Sequence, residues 1–237
     1  MRTLSHELLL AVRRGAPTAE LRRQLAALPA EDLAAALGSD AARLAFWINL
    51  YNAFSQLLLT EHRAEFERSR ARFFGAKRID VAGYRVSLNE IEHGVLRRAK
   101  IWWSLGYLPQ PFPGEFVRRY RVDRLDARIH FALNCGAASC PPIAAYDSAK
   151  IDAQLELATA SFLESETRYD AATNTAHVSR LLLWYLGDFG GLADVRRFLL
   201  KHNCFPLGRR PRIRFAPYDW TLVTGAYRDQ IQPESGR

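Results

Sequence analysis

Hydrophobic positions along the chain first mark out one long segment, residues 41–61. It is apolar nearly all round, which predicts a buried central helix rather than a surface one. Asn49 and Asn52 are three apart and share a face of that helix. Buried amides need hydrogen-bond partners. Two readings stand side by side: the amides fasten the helix to a neighbouring loop, or one lines a pocket and orients a histidine or binds an oxyanion. Upstream, Leu4, Leu8, Ala11 and Val12 fall on one helical face and Leu21, Leu25 and Leu28 on another, so residues 3–38 read as two or three short helices. Pro17 and Thr18 mark a break, Pro29 starts another turn, and Asp40 is a candidate cap for the long helix.

After the long helix, residues 63–77 are polar and read as a connection. Residues 78–86 alternate as a hairpin turning at Ala82-Gly83. Ser87 and Glu90 form a capping box at the start of a helix over residues 87–98, which carries Glu92 and His93. Residues 101–113, with Trp102, Trp103, Pro109, Pro111 and Pro113, predict an irregular segment that packs its aromatics. Residues 128–134 alternate as a strand with His130 on one face and Ile129, Phe131 and Leu133 on the other. Further on come an amphipathic helix over 148–164, a hairpin over 168–179 turning at Thr173-Asn174, a short buried helix over 181–186, a helix over 192–202, and short strands over 212–215 and 218–223. Residues 233–237 read as a tail. With no internal repeat and no linker, the fold expected is α+β: one mostly helical domain around the central helix, with a small antiparallel sheet and hairpins.

Composition changes this picture little. Of 237 residues, 49% are hydrophobic and 24% charged, ordinary values for a globular chain with a sizeable core. The net charge of +8 favours anionic partners. The arginines are spread along the chain, however, and no nucleic-acid motif is visible, so nucleic acid is not the expected partner; a small molecule or peptide of unknown identity is. The first residues do not read as a signal peptide, since His6 and Glu7 interrupt a short apolar run. No stretch is long and apolar enough to span a bilayer. Three cysteines do not suggest a secreted disulfide scaffold, and a cytoplasmic location is expected.

The candidate chemistry centres on Cys135 and Cys140. The strand runs into a turn at Gly136, and Pro141 suits the first position of a helix, so Cys140 is expected near a helix start, where partial positive charge stabilises a thiolate. Cys135, on the apolar face, is expected to have its pKa raised by burial. Cys140 is therefore the expected nucleophile, His93 the preferred base with His130 second, and Glu92, Asn49 or Asn52 the orienting group. A Cys-His hydrolase or acyl transferase stands first among the readings. A non-catalytic interaction module with a structural Cys-Pro-Pro loop stands second. A zinc site on His93, His130, Cys135 and Cys140 lacks a second close ligand pair, so no metal and no cofactor are expected. A reversible Cys135–Cys140 disulfide ranks with it.

Three blocks in order carry a resemblance: Ala45-Phe-Trp-Ile-Asn-Leu-Tyr-Asn-Ala-Phe54, Leu88-Asn-Glu-Ile-Glu-His-Gly-Val-Leu-Arg97 and His130-Phe-Ala-Leu-Asn-Cys-Gly-Ala-Ala-Ser-Cys-Pro-Pro142. Weaker matches are Trp184-Tyr185, Asp188-Phe-Gly-Gly191 and Tyr218-Asp-Trp-Thr-Leu222. Together they resemble the domain of unknown function 547 (DUF547) family over roughly residues 40–225. Members occur in bacteria, plants and nematodes, and some look fused to glutaredoxin-type or leucine-zipper segments. Val223 departs from the Asn common there. The resemblance implies a division into a helical extension over 1–39, the DUF547-like domain over 40–225 and a tail over 226–237. It implies no settled activity.

Overall fold

The computed structural model describes residues 3–228. Its fold is α+β, mostly helical with two small sheets. Helices α1 (Leu4–Arg13), α2 (Ala19–Ala27) and α3 (Ala30–Ala36) lead into α4 (Asp40–Glu61), the centre of the molecule. Along α4, Trp47, Ile48, Leu50 and Ala53 are fully buried. Trp47 sits edge-on to Phe46, Phe116 and Tyr120, with ring centroids 4.9–5.5 Å apart, so aromatic quadrupoles as well as buried area hold it. Helix α1 packs along α4, and Leu8, Leu9 and Leu25 belong to the same core as α4. Ser39 caps α4 rather than Asp40, accepting from the Ala42 N–H. Asp40 instead accepts the Asp123 and Arg124 backbone N–H groups at 2.7 and 2.8 Å.

The polar stretch 63–77 is not a bare connection. It forms α5 (Arg63–Arg68) and α6 (Arg70–Gly75), each sinking one phenylalanine, Phe66 and Phe73, edge-to-face at 5.4 Å. Six-residue helices with one buried position each are too short to show a helical period in the sequence. Strands β1 (Ile79–Val81) and β2 (Tyr84–Val86) pair antiparallel, turning at Ala82-Gly83, both at positive φ as a two-residue hairpin turn requires. The Ser87–Glu90 box closes both ways: the Glu90 N–H donates to Ser87 Oγ and the Ser87 N–H to Glu90 Oε2. The helix that follows, Glu90–Leu96, is a π-helix, with Arg97 N–H bonding Glu92 O and Ala99 N–H bonding Gly94 O, five residues back.

Beyond α7 (Glu115–Tyr120), the segment predicted as a strand is a 3-10 helix, Ala127–Phe131. The Asp126 side chain caps it by accepting the Arg128 N–H at 3.0 Å, a local bond that competes with extended backbone. Helix α8 (Ile151–Glu166) packs on it. Strands β3 (Arg168–Asp170) and β4 (Thr175–Val178) form the second hairpin, with Asn174 at positive φ in its turn. Helices α9 (Leu181–Trp184) and α10 (Leu192–Lys201) follow. Strand β5 (Arg212–Phe215) then pairs parallel to β4, so the second sheet is mixed rather than purely antiparallel. Residues 218–223 form no strand; they run beside the 135–140 loop with one bridge, Ala137 to Leu222. The proposed tail, 233–237, lies outside the described residues.

Candidate active site around a dithiol

The loop 132–146 has no repetitive structure, so its backbone polar groups must be satisfied from elsewhere. One face of α4 does this. Asn52 Nδ2 donates to Ala132 O, and its Oδ1 accepts the Asn134 N–H, both at 2.9 Å. Ser55 Oγ donates to Asn134 O, and Gln56 Nε2 to Asn134 Oδ1. Asn49 makes the same reciprocal pair with Tyr146, at 2.8 and 2.9 Å. Positions 49, 52 and 56 thus form a ladder of amides, and both Asn49 and Asn52 spend their side chains on backbone. Asn52 therefore orients the thiol loop and not a histidine. Gly136, at φ +85°, packs its α-carbon where a side chain would strike Leu59.

The loop brings Cys135 and Cys140 together with sulfurs 2.7 Å apart. No helix begins at Pro141. The Cys140 sulfur instead accepts the Cys135 backbone N–H at 3.1 Å and the Tyr218 hydroxyl at 3.2 Å. Residues 218–223 deliver that tyrosine through Ala138 N–H to Thr221 O and Asp219 N–H to Ser139 Oγ. Burial pushes the Cys140 pKa up, but the donors from Cys135, Tyr218 and the loop backbone outweigh it, and the net direction is down. Cys135 moves the other way, first because it gives its proton to Cys140 and then by burial. Loop amides and a phenol, in place of the expected helix start, set these directions. Tyr218 is pushed upward by burial and remains a donor.

Cys135 forms part of the wall of a cavity of about 580 Å³. Glu92 and His93 both line it, which the wide turn of the π-helix permits. Glu92 accepts hydrogen bonds from Tyr51 (3.0 Å) and Tyr185 (2.7 Å). Burial raises its pKa, but His93, Tyr185 and Arg97 more than offset this and keep it a carboxylate. Arg97 Nη1 donates to His93 Nδ1 at 2.9 Å. Arginine is only a donor, so Nδ1 accepts and the ring carries its proton on Nε2. Burial, followed by Arg97 and His130, holds the His93 pKa below its usual value against the pull of Glu92.

Arg97 is fully buried and forms a two-bond fork with Asp188, at 2.6 and 3.1 Å. Asp188 also accepts from His130 Nε2 at 2.9 Å. His130 stacks flat on Tyr185 at 3.6 Å, and Arg97 covers the same ring at 4.6 Å. Among the contacts of the described residues, the hydrogen-bond partners of the Cys140 sulfur are Cys135 and Tyr218, and no histidine is one of them. Asp188, Arg97, Tyr51, Tyr185 and Tyr218 were not among the sequence candidates. They lie up to 93 positions from their partners in this network; the signal they carried in the sequence was that each stands inside one of the family-like blocks.

Over the cavity stands the 101–113 segment, closed by Ile101 N–H to Leu108 O and a bridge between Lys100 and Pro109. Its aromatics do not pack inward: Trp102 is 64% exposed, Trp103 60% and Phe112 88%. The backbone explains this. Gly187 N–H bonds Leu105 O, and the Gly187 α-carbon lies so close to the Gly106–Tyr107 backbone that a β-carbon there would come within 2.6–2.8 Å. The loop is clamped by its backbone, which leaves the side chains free.

Residues 36–163, more than half of the chain, match the family model described as "Protein of unknown function, DUF547". The chain belongs to this family. The DUF547 segment contains α4, the π-helix and both thiols, while Asp188 and Tyr218 lie beyond it. Neither the curated proteins nor the solved structures give a match. Among the described residues, no cluster of three or more His, Cys, Asp or Glu side chains is arranged to hold a metal ion, and no helix is long and apolar enough to cross a membrane.

Proposed function

We propose that this DUF547 protein is a thiol enzyme whose centre is a redox-active dithiol, Cys135 and Cys140, acting on a substrate that enters the adjoining cavity. The observation that carries this reading is the 2.7 Å contact between the sulfurs, with Tyr218 beside them and Cys135 in the cavity wall. Loss of a proton from the pair falls first on Cys140, the thiol of lower pKa, and leaves Cys135 protonated. Transfer of the Cys135 proton to Cys140 places the thiolate on the cavity side. It attacks a substrate disulfide, forming a mixed disulfide with Cys135 and releasing one substrate thiolate. That thiolate takes the proton from Cys140. Cys140 then attacks the Cys135 sulfur, closing the internal disulfide and releasing the second substrate thiolate. The substrate is reduced by two electrons and the dithiol oxidised by two. A small thiol or dithiol resets the pair, as a reducing compartment such as the cytoplasm supplies.

The hydrolase or acyl-transfer reading, with His93 or His130 as base, has less behind it. The His93 Nδ1 lone pair is engaged by Arg97, and His130 Nε2 by Asp188. What favours it is the lowered Cys140 pKa. A redox titration in glutathione buffers, read by peptide mass mapping, tests the proposal. The expected result is one reversible Cys135–Cys140 disulfide, with Cys204 still alkylatable. If both thiols stay free in oxidised glutathione, the dithiol reading falls. Iodoacetamide reactivity without disulfide formation would promote the hydrolase, and inertness to both the non-catalytic module.

A further inference from the structure

The cavity combines two features that the dithiol chemistry does not use. Its wall is aromatic: Phe74, Trp102, Trp184 and Trp220 line it. Trp184, Tyr218 and Trp220 pack against one another with tilted rings, centroids 4.8–5.7 Å apart, so that side of the wall is held by mutual contact. The second feature is Arg70, which also lines the cavity, with its guanidinium 4.4 Å from the centre of the Trp220 ring. Among the described residues, no carboxylate pairs with Arg70. A guanidinium stacked on an indole keeps its donors in the ring plane's periphery, available for a planar anion. Arg97, by contrast, is consumed by Asp188 and His93.

An apolar pocket with a few polar groups to fix orientation is the usual form of a small-molecule site. Here the inner wall already carries the Glu92 carboxylate. An anionic ligand is admissible only if its charge stays with Arg70 and its apolar body faces inward. We propose that the cavity takes an amphiphile with an aryl or acyl body and an anionic head, the head held by Arg70 and the body along Trp220, Trp184, Trp102 and Phe74. This rests on the dithiol reading only in naming that amphiphile as the carrier of the disulfide.

Two measurements separate the claims. In the full chain, thiol oxidation is timed with two aromatic disulfides, anionic dithiobis(nitrobenzoate) and neutral dithiodipyridine. Arg70→Gln is expected to slow the anionic reagent roughly tenfold, the scale of one charge-assisted contact, and leave the neutral one unchanged. In a Cys135→Ser/Cys140→Ser variant, dodecanoate and dodecanol are titrated by tryptophan emission, to which Trp102, Trp103, Trp184 and Trp220 report. Dodecanoate is expected to bind roughly tenfold tighter than dodecanol, and Arg70→Gln to abolish the difference. Equal binding of the two, or binding of neither, overturns the inference and leaves the dithiol chemistry standing. Selective dodecanoate binding alongside a pair that never oxidises in the unsubstituted chain removes the dithiol reading and leaves the ligand class in place.

Discussion

Two buried polar systems flank the thiol loop, and they are built on opposite principles. The α4 ladder of Asn49, Asn52 and Gln56 is neutral: Asn49 and Asn52 end on backbone groups in reciprocal pairs, and Gln56 joins the Asn134 amide to the Gly225 N–H. The Glu92–His93–Arg97–Asp188–His130 network is charged, is made of side chain on side chain, and reaches a cavity through Glu92 and His93. A neutral ladder satisfies a loop and nothing more. A charged network buried at one end and open at the other keeps a carboxylate and an imidazole in fixed protonation states where a ligand meets them. Burial of polar groups alone therefore does not mark a site; an open end does.

The comparison can be broken most forcefully at Arg97. Arg97→Met leaves the Asp188 carboxylate buried with only His130 as partner, and is expected to cost about 3–5 kcal/mol in urea unfolding. A loss below about 1 kcal/mol would mean that the network carries no uncompensated charge. On the ladder, Asn52→Leu orphans Ala132 O and Asn134 N–H, with an expected loss of about 3 kcal/mol. Little or no shift in the urea midpoint would show that the loop finds other partners.

The third and smallest effect is in pH dependence. Burial lowers the pKa of His93 and of His130, whose charged neighbours are Glu92, Arg97 and Asp188. Both stay neutral in the folded chain and take protons on unfolding once pH falls below about 6.5. The unfolded state then binds more protons, so stability falls with falling pH. Between pH 7.5 and 5.5 the expected loss is roughly 1–3 kcal/mol, flattened in His130→Asn and unchanged in Asn49→Ser, since amides do not titrate. A flat profile in the unsubstituted chain would show that these imidazoles are not held neutral. The carboxylates add a separate loss at lower pH: Asp188 and Glu92 have lowered pKa values, and their contribution fades below about pH 4.

What was legible in the sequence followed from local chemistry. The all-round apolar character of residues 41–61, the Ala82-Gly83 and Thr173-Asn174 turns, and the Ser87–Glu90 box each declare themselves within a few positions. The alternation of residues 128–134 misled, because Asp126 caps a 3-10 turn there and the apolar side chains are buried all round. The Trp-rich segment misled in the other direction: aromatic content suggested packing, but the clamp at Gly187 decides where the backbone goes. Of the site, the thiols, His93 and Glu92 were visible as residue types. Arg97, Asp188 and Tyr218 stood inside the family-like blocks without a role, since nothing near them in the chain states which distant group they meet.

The π-helix at Glu90–Leu96 has a further consequence for how such a site is inherited. A turn of that width is an ordinary helix carrying one residue too many. Loss of a single codon anywhere within it would let the helix close to normal pitch, still capped by Ser87 and Glu90 if the box is spared. The residues on its two sides would then be rotated relative to one another, and Glu92 would no longer face the cavity beside His93 while Arg97 holds His93 from behind. Fold and site are thus separable by the smallest in-frame deletion a gene can suffer: the domain could persist as a scaffold while its chemistry is lost.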